Sequence, residues 1–215
     1  MSQPQRFLML SANAAVLFCG LAFAMQTNRL VGNDEAVRMA MHGLASPLLT
    51  FLAQKVSWFG DLVVLAFFGA VVVAVLVKLR RRDAALFLVV SMLGALALEN
   101  GLKFSFQRVR PPAFFGSEPW TYSFPSGHAL FSACFYGVAA IVASRAFPTV
   151  AGKAAIWIAT VVLVLMIGAA RIYLGVHYPS DVLAGYLVAI AWIALLLAAF
   201  QHLATRGGNN GHVSR

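Results

Sequence analysis

Charged side chains are scarce in this sequence, and acidic ones are the scarcer kind. Asp, Glu, Lys and Arg make up 11% of the 215 residues, and seven acidic residues stand against 16 basic ones. Soluble domains carry about 25% charged residues. Hydrophobic residues make up 61% of the chain, and the mean hydropathy is +0.82. The composition therefore excludes a soluble globular protein and predicts a membrane protein.

Cysteine is also scarce, with only Cys19 and Cys134 in the chain. Both fall inside long apolar runs, so we expect them to pack as small apolar side chains. A disulfide between them is the alternative. The two cysteines therefore say nothing about the redox compartment of the protein.

Long apolar runs dominate what is present. A helix needs about 20 apolar residues to cross a membrane, and runs of roughly this length lie near 7–25, 62–78, 84–102, 127–143, 154–170 and 182–200. They predict an all-α, polytopic fold with six transmembrane helices. One membrane-embedded domain over 1–215 leaves no room for a soluble second domain.

The first apolar run has a second interpretation. Arg6 precedes it, and it ends at Ala22-Phe23-Ala24, which resembles a signal-peptide cleavage site. An uncleaved first helix ranks higher because the run is longer than a usual signal peptide and because retaining it keeps the charges of all later loops consistent.

The distribution of Lys and Arg predicts the orientation. Short loops rich in these residues stay in the cytoplasm, and such charges lie at Arg6, at 78–82 and at 145–153. We therefore expect cytoplasmic N- and C-termini in the cell (inner) membrane. The segments 26–61, 103–126 and 171–181 then face outwards, and the apolar spacing within 34–58 predicts helices on the outer leaflet. Because topology accounts for much of the +9 charge, it is no argument for nucleic acid.

Cations on the outer side run against this rule and need another cause. They are Lys103, Arg108, Arg110 and Arg171. Ser126 and Gly127 open a predicted helix, where free N–H groups and the helix dipole favour an anion. Together these residues predict an oxyanion site. Ser126 taken alone is more typical of an ordinary helix N-cap.

Two histidines can supply chemistry at this site. His177 precedes Asp181 by four residues, so the carboxylate can orient the ring and leave the other nitrogen free as a base or a nucleophile. His128 follows Gly127 and is placed to protonate a leaving oxygen. A lone histidine at a membrane boundary is more often a packing residue, but two beside cations favour catalysis.

The three clusters resemble the signature of the type 2 phosphatidic acid phosphatase (PAP2) family. Lys103 is followed after six residues by Arg110-Pro111, then comes Pro125-Ser126-Gly127-His128, and Arg171 is followed after five residues by His177 and after three more by Asp181. Each motif is weak alone, but three in order on one membrane face are a strong signal. Ala170 stands where the family usually has serine, and Arg108 lies outside the motif register.

The resemblance implies a six-helix phosphatase with a phosphohistidine mechanism and without metal or cofactor. In that mechanism His177 is the nucleophile, Asp181 orients it and His128 is the general acid. The phosphate-binding residues it implies are Lys103, Arg110, Ser126, Gly127 and Arg171. Arg108 becomes a supporting charge or a headgroup contact.

The resemblance also suggests the substrate class, a lipid phosphate in the membrane. Undecaprenyl diphosphate is the first choice, and phosphatidylglycerophosphate, phosphatidic acid and a lipid A phosphate are alternatives. A phosphate-lipid binder or transporter is the alternative outside enzymes, but mere anion binding needs no nucleophile. The sequence does not indicate an oligomeric state.

Overall fold

The structure is a computed structural model that describes residues 1–116 and 120–209, with side chains described as far as residue 201. Within these residues it contains eight α-helices and no strand. The helices are α1 (Gln3–Gln26), α2 (Val31–His42), α3 (Pro47–Trp58), α4 (Leu62–Lys78), α5 (Arg82–Phe106), α6 (Gly127–Ser144), α7 (Val150–Tyr173) and α8 (Pro179–Asn209). The predicted all-α membrane fold is confirmed.

Five of these helices, α1, α5, α6, α7 and α8, are long and apolar enough to cross a membrane. The predicted span 62–78 corresponds to α4, whose 17 residues extend about 26 Å at 1.5 Å per residue. That is short of a hydrocarbon core of about 30 Å. The sixth span is reached when α3 and α4, bent by 48° at their junction, are counted as one.

Capping side chains open both α3 and α4. Ser46 Oγ accepts a hydrogen bond from the Leu49 N–H at 3.2 Å and opens α3. Asp61 Oδ1 accepts from the Val63 N–H at 2.9 Å and opens α4. Asp61 satisfies N–H groups that a helix start leaves unpaired, so the start of α4 after the corner is encoded locally.

Helices α2 and α3 occupy the segment predicted to lie on the outer leaflet. In α2 the polar side chains of Asp34 and Arg38 are buried, whereas Val37 and Met39 are exposed. This reverses the usual burial pattern of a helix in water. It suits a helix that turns its polar face to the protein and its apolar face to lipid.

The apolar core lies among α4, α5, α6 and α8, with Leu65, Leu88, Leu130 and Val188 among its buried residues. Cys134 belongs to this core, as expected, whereas Cys19 on α1 is exposed. Neither cysteine forms a disulfide.

Helix α1 packs along α8, where Ser11 Oγ donates to the Ala191 carbonyl at 2.8 Å. The first apolar run is therefore part of the folded bundle.

The spanning helices alternate in direction. The ends of α5 and α7 therefore lie beside the starts of α6 and α8, where the Phe114 N–H donates to the Leu174 carbonyl at 3.0 Å. The Lys and Arg residues of 78–82 and 145–153 lie at the other end of the bundle. The expected cytoplasmic C-terminus concerns residues 210–215, which lie outside the described residues.

Candidate active site

The three sequence clusters meet at one end of the bundle. Arg110 from the first cluster lies against His177 from the third, with Nη1 and Nε2 3.0 Å apart. The Ser126 N–H at the start of α6 donates to the Asp181 carbonyl at 2.9 Å. Residues up to 78 positions apart in sequence thus form one site.

His177 lies at the centre of this site and is 1% exposed. Its Nδ1 is 3.4 Å from Asp181 Oδ2 and 3.4 Å from Ser123 Oγ. Burial lowers the pKa of His177 to about 4, although the Asp181 carboxylate opposes this shift. The imidazole is therefore neutral at pH 7, and Nε2 carries a lone pair that accepts from Arg110 when the proton is on Nδ1.

Asp181 is fully buried and is held by more partners than the histidine. Its Oδ2 accepts from Ser123 Oγ in a very short hydrogen bond and from the Tyr178 N–H at 2.9 Å. Its Oδ1 accepts from Arg108 Nη1 at 2.6 Å. The contact to His177 is longer than any of these, so the carboxylate is oriented mainly by its other neighbours.

Arg110 is anchored by the loop that carries Thr121 and Tyr122. Its Nε donates to the Thr121 carbonyl at 2.6 Å, and Nη2 donates to Thr121 Oγ1 at 2.9 Å. Nη1 also donates to the Val176 carbonyl at 2.8 Å. These contacts hold a planar donor group beside His177, as a phosphate site requires.

The other two predicted cations come from helix ends. Lys103 Nζ lies 2.6 Å from Glu99 Oε1 and 3.2 Å from Thr121 Oγ1. Arg171 Nη1 donates to Ser57 Oγ at 2.9 Å. The buried Arg171 Nε has no hydrogen-bond partner within the described part of the chain.

The start of α6 carries Ser126 and Gly127. Ser126 is the N-cap residue, but its hydroxyl makes no capping hydrogen bond and is buried without a partner among the described residues. The ordinary N-cap interpretation of its side chain is therefore wrong. A β-carbon on Gly127 would overlap Glu99 Oε1, so a side chain there would displace the Glu99 carboxylate.

His128 follows in the first turn of α6, and its ring packs against the corner between α3 and α4. A β-carbon placed on Gly60 would lie 3.2 Å from His128 Cδ2. The position of the His128 ring thus depends on the absence of a side chain at residue 60.

Arg108 does more than the sequence predicts. Its guanidinium bridges two carboxylates, with Nη2 2.7 Å from Asp34 Oδ2 and Nη1 2.6 Å from Asp181 Oδ1. It also stacks on the Tyr178 ring at 4.1 Å. Burial is the largest influence and lowers the pKa of Arg108, but the two carboxylates together outweigh it and raise the pKa. Arg108 is therefore an internal ion-pair partner, and it also lines the cavity beside Lys103 and Arg110.

Sequence reasoning missed Asp34, Thr121 and Ser123, which lie outside the three motifs. The only signal was the acidic pair Asp34-Glu35 in the outer segment 26–61. Among the described residues no group of three His, Cys, Asp or Glu side chains is arranged to hold a metal ion.

A cavity of about 790 Å³ opens beside Lys103 and Arg110. Its wall includes polar Asn100 and Thr121 and apolar Phe104. The cavity therefore joins the two cations to a mixed polar and apolar surface, which suits an amphiphilic ligand.

Comparison with known proteins supplies an independent result. A family model described as PAP2 superfamily matches residues 84–204, more than half of the chain. The chain is similar to a phosphatidylglycerophosphatase B of Bacillus subtilis (strain 168), at 31% identity over 173 residues, covering 80% of this chain and 85% of the relative. It is also similar to an undecaprenyl-diphosphatase of Sulfolobus acidocaldarius, at 32% identity over 124 residues, covering 54% of this chain and 55% of that relative.

A solved structure agrees with these matches. The crystal structure of a transmembrane PAP2 type phosphatidylglycerolphosphate phosphatase from Bacillus subtilis has a TM-score of 0.84 to this chain at 27% identity. The similarity covers 90% of this chain and 97% of that one. It therefore extends well beyond the three clusters, to the helices that hold them.

Proposed function

Since the chain belongs to the PAP2 superfamily and is a membrane lipid phosphatase, we propose that it works through a covalent phosphohistidine on His177. The observation that carries this proposal is the environment of the ring. His177 is buried and neutral, with Nε2 directed at Arg110 and Nδ1 on the side of Asp181. A neutral imidazole with a lone pair facing a phosphate-binding cation is a competent nucleophile.

The first step is attack of His177 Nε2 on phosphorus. The N–P bond forms, the bond from phosphorus to the leaving oxygen breaks, and His128 gives its proton to that oxygen. In the structure Arg110 Nη1 contacts Nε2. When the substrate binds, this N–H must therefore donate its hydrogen bond to a phosphate oxygen instead. In the second step water attacks phosphorus and gives a proton to His128. The N–P bond breaks, which returns its electron pair to His177 Nε2 and releases inorganic phosphate.

We assign the phosphate oxygens to the cations and the helix start around the ring. Lys103, Arg110 and Arg171 supply positive charge. The buried Ser126 hydroxyl and Arg171 Nε, which lack partners among the described residues, supply further donors. The N-terminus of α6 at Gly127 adds its dipole. The preorganised positive charge is complementary to the charge that develops on phosphorus oxygens in the transition state.

We propose that the site faces the outer side of the cell (inner) membrane. The Lys and Arg residues of the loops at the opposite end of the bundle support this orientation, because short basic loops stay in the cytoplasm. We also propose that residues 1–215 act as a single membrane-embedded domain, since α1 packs on α8 and α2 reaches the site.

For the substrate we propose undecaprenyl diphosphate first and phosphatidylglycerophosphate second. Each of these two activities appears in the name of one of the two similar proteins. The 790 Å³ cavity beside Lys103 and Arg110 has room for either a second phosphoryl group or a glycerol headgroup next to the reacting phosphate. Phosphatidic acid and a lipid A phosphate rank below these two as candidate substrates of the same site.

Substrate choice is tested with purified protein and a panel of these four lipids, in EDTA so that no divalent metal takes part. We expect turnover to persist in EDTA and kcat/KM to be highest for undecaprenyl diphosphate. A higher kcat/KM for phosphatidylglycerophosphate would reverse the order of the two candidates. Binding of every lipid without turnover would instead indicate a lipid binder or transporter.

The mechanism is tested by rapid-quench trapping of an acid-labile phosphoenzyme. We expect His177→Ala to abolish both phosphoenzyme and turnover, by several orders of magnitude as for other removed nucleophiles, while lipid binding remains. His128→Ala should lose less activity on an aryl phosphate than on an alkyl phosphate, because a weakly basic leaving oxygen needs little protonation.

His42→Ala is the matched control. His42 stacks on Phe114 with ring centroids 4.1 Å apart and has no role in the proposed chemistry, so turnover should remain. A phosphohistidine that persists in His177→Ala would show that another residue is the nucleophile.

A further inference from the structure

Asp34 is a buried carboxylate that lies outside the family match at 84–204. It is 3% exposed and sits in the first turn of α2. Its Oδ1 accepts from the Ser180 N–H at 3.0 Å, and its Oδ2 accepts from Ser180 Oγ at 2.6 Å. Burial of a carboxylate is costly unless it is paired, so this position needs an explanation beyond the packing of α2.

The explanation lies in the bridge through Arg108. Arg108 Nη2 is 2.7 Å from Asp34 Oδ2, and Nη1 is 2.6 Å from Asp181 Oδ1. Asp181 Oδ2 in turn lies 3.4 Å from His177 Nδ1. Asp34, Arg108, Asp181 and His177 therefore form one continuous chain of charged and polar contacts.

The charges in this chain decide how much of the Asp181 charge remains available to His177. One guanidinium between two carboxylates leaves a net charge of minus one. Without the Asp34 charge, Arg108 would neutralise Asp181 alone, and the net charge would be zero. Attack by Nε2 on phosphorus places positive charge on the imidazole, and a nearby uncompensated carboxylate stabilises that charge.

We infer that Asp34 is a positioning residue for catalysis, which acts through Arg108 to keep Asp181 available to His177. The outer helix α2 thus contributes to the reaction, although it does not touch the phosphate. This inference rests on the proposed function, in which His177 forms the covalent intermediate.

Substitution Asp34→Asn removes the charge and keeps the size of the side chain. We expect phosphoenzyme formation, measured by rapid quench, to slow by about tenfold, which corresponds to about 1.4 kcal/mol. The KM for the lipid should change less than twofold, because no phosphate contact is lost. A role limited to folding would instead lower the amount of active enzyme and leave the rate constant per active site unchanged.

Glu35→Gln is the matched control. It removes a carboxylate from the next residue of α2, whose partner is Arg38 at 2.5 Å, so phosphoenzyme formation should match that of the unaltered protein. Equal rates in Asp34→Asn and Glu35→Gln would overturn the inference.

A double-mutant cycle shows whether Asp34 acts through Arg108. In an Arg108→Gln background, Asp34→Asn should cause little further loss, whereas a separate role through Ser180 would give additive losses. If Asp34→Asn does not fold, Arg108→Lys provides the same test. Its single ammonium group pairs with Asp181 and cannot bridge to Asp34 as well, so Asp181 is neutralised by a cation of its own, as in Asp34→Asn. Phosphoenzyme formation should slow at unchanged KM, and a normal rate would contradict the inference.

His177→Ala in the same assay separates the two levels of the proposal. Phosphoenzyme in that variant would disprove the proposed mechanism itself. Its absence there, together with normal phosphoenzyme formation in Asp34→Asn, would disprove only the role of Asp34.

Discussion

The low pKa of His177 predicts an unusual tolerance of acid. An ordinary histidine has a pKa near 6.5, but burial lowers that of His177 to about 4. Nucleophilic attack requires the neutral ring. We therefore expect the acid limb of kcat/KM to lie near pH 4, because kcat/KM reports the ionisations of the free enzyme.

The size of the effect follows from these two values. At pH 5 a group with a pKa near 4 is about 90% neutral, whereas a group with a pKa near 6.5 is only about 3% neutral. The contribution of His177 to kcat/KM should thus fall by only about a tenth between pH 7 and pH 5. An ordinary histidine would cause a loss of about 25-fold over the same interval.

Asp181→Asn tests how the Asp181 carboxylate and burial oppose each other in setting the pKa of His177. The Asp181 carboxylate favours the charged imidazole and so opposes the effect of burial on the pKa of His177. Removing that negative charge should move the acid limb to still lower pH. The maximal rate should fall at the same time, because the positive charge formed on the ring loses its partner.

The assay compares kcat/KM over pH 3.5–8 for an aryl phosphate and a lipid diphosphate. Ionisation of the substrate itself contributes a limb at a different pH for each compound, whereas the limb of His177 lies at the same pH for both. A shared acid limb near pH 6.5 would refute the reasoning, since it would mean that the nucleophile is not a buried, neutral histidine.

Two further predictions concern orientation and the second histidine. In a cysteine-free background, Trp120→Cys should react with a membrane-impermeant thiol reagent in intact cells and Arg81→Cys only after permeabilisation; the opposite pattern would invert the proposed topology. Gly60→Ala places a β-carbon 2.5 Å from Ile167 Cγ2 and 3.2 Å from His128 Cδ2, so alkyl phosphate turnover should fall by about tenfold as the ring shifts. Gly69→Ala is the control, because the nearest atom to its β-carbon would lie at 3.8 Å. Equal turnover in both variants would show that the His128 ring does not depend on the glycine at residue 60.

The membrane fold could be predicted from the sequence because it depends on local chemistry. Apolar runs of sufficient length must become helices in a bilayer, where each backbone group needs an internal partner. Five of the six predicted spans are matched by single long helices. The predicted span at 62–78 matches only α4, because the Asp61 cap opens a new helix after the bend that follows Trp58.

The sequence named most residues that the structure brings together in the candidate site, but not the hydrogen bonds and ion pairs between them. Lys103, Arg110 and His177 could be identified because their spacing within the chain follows a recognisable pattern. The partners Ser123 and Thr121 could not, since an isolated serine or threonine in a loop is common.

The sequence by itself determined the helices, the family and the groups proposed to bind and attack a phosphate, because these depend on residue type and on short spacings. Only the tertiary structure decided which charged side chains form ion pairs with one another. Asp34 and Arg108 are 74 residues apart, and no local pattern relates them. Their pairing exists because α2 folds back over the loop after α5, where burial removes water and leaves each charge dependent on the other.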